Sequence, residues 1–185
     1  MESPLRLGNS KISGTGVFAT KVISTGEFIC LMNGKEVSLK EVGELEIIGT
    51  QREGDALQID VDSYLIIEEI YRCVNHSCSP NAFIRGKNEL IALRSIANGE
   101  EITFDYSTTM WEDATQIKKL FNEDIWTMNC SCKSDECRKE IKQFYELPEK
   151  IQEKYLRLNA VPDFILKLKG LSQCLEVIHQ KAKFQ

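Results

Sequence analysis

No run of apolar residues in this chain approaches the ~18 that a membrane-spanning helix needs. The opening MESPLRLGNS also lacks the apolar core of a secretory leader. The expectation is an intracellular chain without a membrane partner, in the nucleus or cytoplasm, or in a host cell if it is a secreted effector. Proline is scarce, at 4 residues, and glycine numbers 11, which excludes fibrous and low-complexity classes. A surplus of positive charge is missing too. The 23 Lys and Arg face 28 Asp and Glu, for a net charge of -5, so direct nucleic-acid binding is not expected and there is room for a basic protein partner. What remains is globular composition, 42% hydrophobic and 28% charged over 185 residues, enough for one domain with a core and a terminal extension.

The first two-thirds of the chain reads as short strands. TGVFAT (Thr15 to Thr20), EFICLM (Glu27 to Met32), ALQIDV (Ala56 to Val61) and YLII (Tyr64 to Ile67) are rich in β-branched or aromatic residues and bounded by Gly, Ser, Asn or Asp. AFIR and ELIALR flank Gly86-Lys87-Asn88 as a hairpin, and EITF (Glu101 to Phe104) follows the Asn98-Gly99 turn. After Tyr106 the period changes. Trp111, Ala114, Ile117, Phe121 and Ile125 recur at helical spacing, as do Ile141, Phe144 and Tyr145, then Ile151, Tyr155 and Leu158, then Ile165, Leu168, Leu171, Leu175 and Ile178. Pro148 and Pro162 divide this tail into about three helices, whose apolar faces are expected to pack on their own domain or on a second subunit.

Two stretches carry chemistry. Val74 to Tyr106 places an amide, an imidazole, a thiol and a phenol near one another, groups that are costly to bury without partners. The second is NCSCKSDEC, where three of the seven cysteines form a C-x-C-x4-C pattern at Cys130, Cys132 and Cys137, too close for an ordinary disulfide framework. Three thiolates can fill three corners of a tetrahedral zinc site. Candidates for the fourth are Cys78, His76, Cys30, Cys73, Cys174 and His179.

Taken together, NHSCSPN and CSCKSDEC make the chain resemble the SET-domain protein-lysine methyltransferases that carry a post-SET zinc segment. Four blocks bear the likeness, in the family's order: KISGTGVFATKVISTGEFI (Lys11 to Ile29), YRCVNHSCSPNAFI (Tyr71 to Ile84), ALRSIANGEEITFDY (Ala92 to Tyr106) and the cysteine loop. DYSTTM and LPEKIQEKYLRLNAVPDFI also resemble small stand-alone SET proteins. The resemblance implies a mostly β fold with some helix, its short curved sheets holding a knot-like substructure. It implies a SET domain over residues 1–110, a helical linker and post-SET zinc segment over 111–147, and a C-terminal helical extension over 148–185.

The same resemblance implies S-adenosylmethionine bound by Lys11, Gly14, Gly16, Asn75 and His76, and zinc held by Cys130, Cys132 and Cys137 with Cys78 as fourth ligand. Tyr106 matches the family's catalytic tyrosine. Phe104 stands where a Phe or Tyr influences how many methyl groups are added, so di- or trimethylation is expected. The implied substrate is a lysine-bearing peptide, such as a histone tail, lying as an added strand on a sheet edge. The C-terminal helices offer a surface for a homodimer. A catalytically silent SET module acting as an interaction scaffold is the alternative, favoured by Met32, which replaces an active-site tyrosine in LMNGK. Lys133 and Lys139 occupy positions where the family's post-SET loop has glycines, and Arg72-Cys73-Val74 replaces the usual Arg-Phe. Between Tyr106 and Cys130 lie 23 residues, enough for a helix near the substrate groove.

Overall fold

The computed structural model describes residues 3–50, 52 and 54–171. Two antiparallel strands open the chain, β1 (Leu5–Asn9) and β2 (Thr15–Ala19), in register from Leu5 opposite Ala19 to Asn9 opposite Thr15. β3 (Phe28–Leu31) and β4 (Gly34–Val37) lead into a helix, α1 (Leu39–Ile47), which the apolar spacing does not announce. Its start is fixed by a capping box. Ser38 Oγ accepts the Glu41 N–H, and the Glu41 carboxylate accepts the Ser38 N–H at 2.8 Å. Leu39 and Val42 then pack with Tyr64 and Ile117.

β5 (Leu57–Asp60), β6 (Ser63–Ile67), the single turn α2 (Glu69–Arg72), β7 (Asn75–His76), β8 (Ala82–Arg85), β9 (Glu89–Ala92) and β10 (Glu101–Phe104) follow. The hairpin across Gly86-Lys87-Asn88 forms as expected, with Arg85 opposite Glu89 and Gly86 at φ 61°. The strands assort into a four-stranded sheet in the order β1-β2-β10-β7 and two three-stranded sheets, β3-β9-β8 and β4-β6-β5. Val17, Ile29, Met32, Leu65, Ile84, Leu90 and Ile102 fill the core among them. Gly34, opposite Ile67, leaves no room for a side chain, since a Cβ there would overlap the Ile66 carbonyl of β6. Gly34→Ala is therefore expected to cost about 1–3 kcal/mol, seen as a lower urea midpoint with an unchanged slope. A wild-type midpoint would show that β4 can slide away from β6.

Beyond β10 a 3₁₀ turn, Tyr106–Thr109, precedes α3 (Ala114–Phe121). Asp113 caps α3, and Asn122, left-handed at φ 59°, ends it, so Ile125 falls outside the helix. The short strands β11 (Met128–Asn129) and β12 (Glu140–Ile141) pair antiparallel around the cysteine loop. The helix expected from Ile141, Phe144 and Tyr145 is not formed. Pairing with Met128 extends Ile141, and Phe144 N–H bonds the Met110 carbonyl at 2.8 Å before a 3₁₀ turn at Phe144–Glu146.

α4 (Glu149–Arg157) and α5 (Asp163–Leu168) begin just after Pro148 and Pro162, as the sequence suggests. Their Tyr155, Phe164 and Ile165 share a core with Phe83 and Ile91 of the β8–β9 hairpin, so these helices pack on their own chain. Leu175 and Ile178, expected in a further helix, lie outside the described residues, as do Cys174 and His179. Among the described residues no helix is long and apolar enough to cross a membrane.

Candidate active site and thiol cluster

The parallel pairing of β7 with β10 builds the site. It sets Thr103 beside Asn75 and Phe104 beside His76. Past β10 the chain turns sharply at Asp105, whose side chain accepts the Ser107 N–H at 3.2 Å and caps the 3₁₀ turn carrying Tyr106. The Tyr106 ring lies 5.4 Å from His76 and 4.8 Å from Phe104, centroid to centroid. Its hydroxyl donates to the Val74 carbonyl at 2.8 Å. That commitment leaves the oxygen lone pairs as the reactive feature of the group. Burial pushes the phenol far above its ordinary range, so it stays protonated.

Tyr106, Phe104, Val74, Tyr71 and Met32 line a cavity of about 520 Å³ together with residues of α1 and α3 and with Trp126. α3, formed in the stretch between Tyr106 and Cys130, contributes Ile117, Leu120 and Phe121 to the lining. Phe121 of α3 packs so closely on α1 that Gly43 has no space for a Cβ. Met32 is fully buried, and its backbone is held by Asn88 in both directions, N–H to carbonyl and carbonyl to side-chain amide. A thioether therefore forms this part of the wall.

On the other side of β10 lies the glycine turn between β1 and β2. Ser10 N–H bonds the Gly14 carbonyl at 2.9 Å, and Gly14 is left-handed at φ 47°. A Cβ on Gly16 would collide with the Glu101 carboxylate. Asn75 Nδ2 donates to the carbonyls of Ser13 and Thr15, each at 3.2 Å, and to Glu101 at 2.8 Å. Asn75 thus ties the turn to β7, with its amide protons engaged by the protein itself. Lys133 of the cysteine loop crosses over to donate to the Lys11 carbonyl at 2.8 Å. Lys133 and Lys139 both adopt the left-handed backbone, at φ 58° and 68°, so the lysines take the conformation that glycine would favour.

The thiols converge beneath this wall. Ligand atoms of His76, Cys78, Cys130 and Cys132 all lie within 4.8 Å of one another. Cys78 and Cys130 sulfurs are 3.7 Å apart, close to the ~3.8 Å edge of a tetrahedron with ~2.3 Å zinc–sulfur bonds. Burial raises the Cys78 thiol to about 11, partly opposed by the Arg138 N–H, whereas hydrogen bonds from the Cys78 backbone and Ser134 outweigh burial and bring Cys132 down to about 6. The donor set suits a soft cation such as zinc, which would hold the thiols deprotonated.

His76 differs from a ligand in one respect. Desolvation lowers its pKa to about 4, so the ring is neutral, and its Nδ1 accepts the Tyr106 N–H at 3.2 Å. The proton is thereby left on Nε2, which faces Cys78 Sγ at 3.2 Å and donates to it. Cys137, expected as a ligand, sits beside Cys130 but outside that foursome, its sulfur accepting the Lys139 N–H at 3.4 Å. Cys30 and Cys73 pack against the central core.

Sequence reading missed Asp105 and Arg138. Asp105 is 1% exposed, and its Oδ1 pairs with Arg138 Nη2 at 2.6 Å. The available signal was a charged residue directly after a buried strand, which needs a partner.

A SET domain family model matches residues 14–107. The chain is 32% identical over 150 residues to the variant-silencing SET domain-containing protein of Plasmodium falciparum, covering 72% of this chain and 5% of that protein. It is 30% identical over 142 residues to the histone-lysine N-methyltransferase trithorax of Drosophila virilis, covering 70% of this chain and 3% of that protein. The chain therefore spans a small fraction of these relatives' length. In fold it resembles the methyltransferase domain of the human histone-lysine N-methyltransferase SETMAR, with a TM-score of 0.57 at 20% identity, over 77% of this chain and 59% of that one. By the match over residues 14–107 and the β-rich arrangement around Tyr106, the chain belongs to the SET domain family.

Proposed function

We propose that the chain is an S-adenosylmethionine-dependent protein-lysine N-methyltransferase acting on a basic, lysine-rich protein such as a histone, in the nucleus or cytoplasm. The observation that carries this reading is the Tyr106 hydroxyl, anchored on Val74 in the lining of a cavity and backed by the Asn75–His76 strand. S-adenosylmethionine, when bound, supplies an electrophilic methyl group on a sulfonium centre. The glycine turn at Gly14 and Gly16, with Lys11, Asn75 and His76, forms its proposed seat. Asn75 acts there by fixing the turn's carbonyls.

The substrate amine has to arrive neutral, and the apolar walls of Phe104, Met32 and Val74 disfavour its ammonium form. Tyr106, protonated and donating to Val74, presents lone pairs that can accept an amine N–H and aim the nitrogen. Phe104 offers no hydroxyl to anchor a water in the channel, which supports di- or trimethylation. Five carboxylates, Glu46, Asp55, Glu112, Glu123 and Asp124, border the cavity with one guanidinium, Arg72; Asp55 also pairs with Arg52 and Asp124 with Lys118, and the acid surplus that remains supports a basic peptide. Zinc would be held by Cys78, Cys130, Cys132 and Cys137, with the His76 N–H orienting Cys78; its contribution would be structural. The silent-module alternative rests on Met32 in the wall.

Calorimetric titration of the zinc-loaded protein with S-adenosylmethionine, followed by mass spectrometry of recombinant core histones, separates the two readings. Asn75→Ala is expected to weaken cofactor binding by about tenfold or more, because the turn loses its tie to β7. Absence of cofactor binding by the folded, zinc-replete wild type would overturn the enzyme reading.

A further inference from the structure

We infer that Tyr155, on the C-terminal helix α4, is a positioning residue for Tyr106 and acts through Asp105; the inference rests on the catalytic reading of Tyr106. The Tyr155 hydroxyl donates to Asp105 Oδ2 at 2.9 Å, and the residue is 2% exposed. The other carboxylate oxygen, Oδ1, receives Arg138 Nη2 at 2.6 Å and the Ser107 N–H at 3.2 Å, with His76 Nδ1 3.6 Å away. Asp105 immediately precedes Tyr106 and caps the turn that carries it. The setting of this carboxylate therefore sets the start of the turn.

Two elements compete for that carboxylate. Arg138 approaches it end-on through one nitrogen, and its Nε is buried without a hydrogen-bond partner. A guanidinium with a spare buried donor prefers to grip a carboxylate with both prongs. Tyr155 opposes this by holding Oδ2 toward α4. Without the hydroxyl, Asp105 is free to rotate into a two-pronged pair with Arg138, which pulls the cap away from the Ser107 N–H and turns Tyr106 off its Val74 anchor. Arg138 also follows Cys137 and donates its N–H to Cys78 Sγ at 3.4 Å, so the thiol segment stands on the opposite side of the same contest. α4 thereby becomes part of the active-site scaffold, although none of its residues lines the cavity.

The test is Tyr155→Phe in the full chain, which keeps the ring packed among Phe164 and Ile165. Turnover on recombinant core histones is read beside amide exchange at Tyr106 and Ser107. The inference predicts a kcat about tenfold lower, KM for histone and for S-adenosylmethionine within about twofold, and an unchanged melting temperature. It also predicts Tyr106 and Ser107 amides exchanging about tenfold faster, with Ala19 and Ile102 unchanged. Unchanged kcat, or a loss matched by a lower melting temperature with all amides accelerating together, overturns it. If the wild type transfers no methyl group, the enzyme reading fails separately. Exchange at Tyr106 and Ser107 then decides alone: local acceleration supports the positioning role, and uniform or absent change overturns it.

Discussion

Tyr106→Phe should lower methyl transfer by about a hundred- to a thousandfold while leaving S-adenosylmethionine affinity within about twofold. The substitution removes one oxygen and little else. The ring keeps its contacts with His76 and Phe104, and the backbone N–H still reaches His76 Nδ1. What disappears is the hydroxyl that donates to Val74 and turns its lone pairs toward the cavity. Because burial holds this phenol protonated, the proposed mechanism casts it as an orienting acceptor and not as the base that deprotonates lysine. Single-turnover transfer measured with saturating cofactor isolates the effect on the chemical step. A rate within about threefold of wild type would remove Tyr106 from the mechanism.

Cys78→Ser should release zinc and lower the melting temperature by about 6–12 °C, on the basis of roughly 3 kcal/mol for one of four ligands and ~2–4 °C per kcal/mol at this chain length. Cys78 has a role that the loop thiols do not share. It lies next to the Asn75–His76 strand, receives the His76 Nε2–H and the Arg138 N–H, and so joins the segment before β8 to the segment after β11. Losing it should also abolish methyl transfer, since Tyr106 N–H rests on the same imidazole. A chelator should lower the wild-type melting temperature to the variant's and leave the variant unmoved. Full zinc content and a wild-type melting temperature in Cys78→Ser would assign the fourth position to His76.

The strands were legible because alternation and turn chemistry are local. β2, β3, β5, β6, β8, β9 and β10 fall within a residue or two of their sequence positions, and Gly86 closes the hairpin as its freedom at positive φ allows. α1 escaped notice because Gly43 thins its apolar stripe, yet the Ser38 and Glu41 spacing of a capping box was present in SLKE. Ile141, Phe144 and Tyr145 carried a helical period that tertiary pairing overrode. The meeting of β7 with β10 had no local signature at all, since parallel pairing across intervening strands leaves no periodicity. The chemistry of the site was reached through family motifs, whereas its support was hidden. Asp105, Arg138 and Tyr155 lie in three separate segments, and nothing in their spacing points to one carboxylate.

Lys133 ties the cysteine loop to the segment before the glycine turn. One ammonium, reaching from the cysteine loop to the Lys11 carbonyl, closes the rim between two segments that are remote in sequence. The contact is solvent-exposed, so breaking it costs only about 1 kcal/mol. If the glycine turn seats S-adenosylmethionine as proposed, a rim secured so lightly would let the cofactor pass by breaking one exposed contact and none of those among the thiols. Removing that one ammonium, as in Lys133→Ala, would then leave the thiol cluster in place and loosen only the rim.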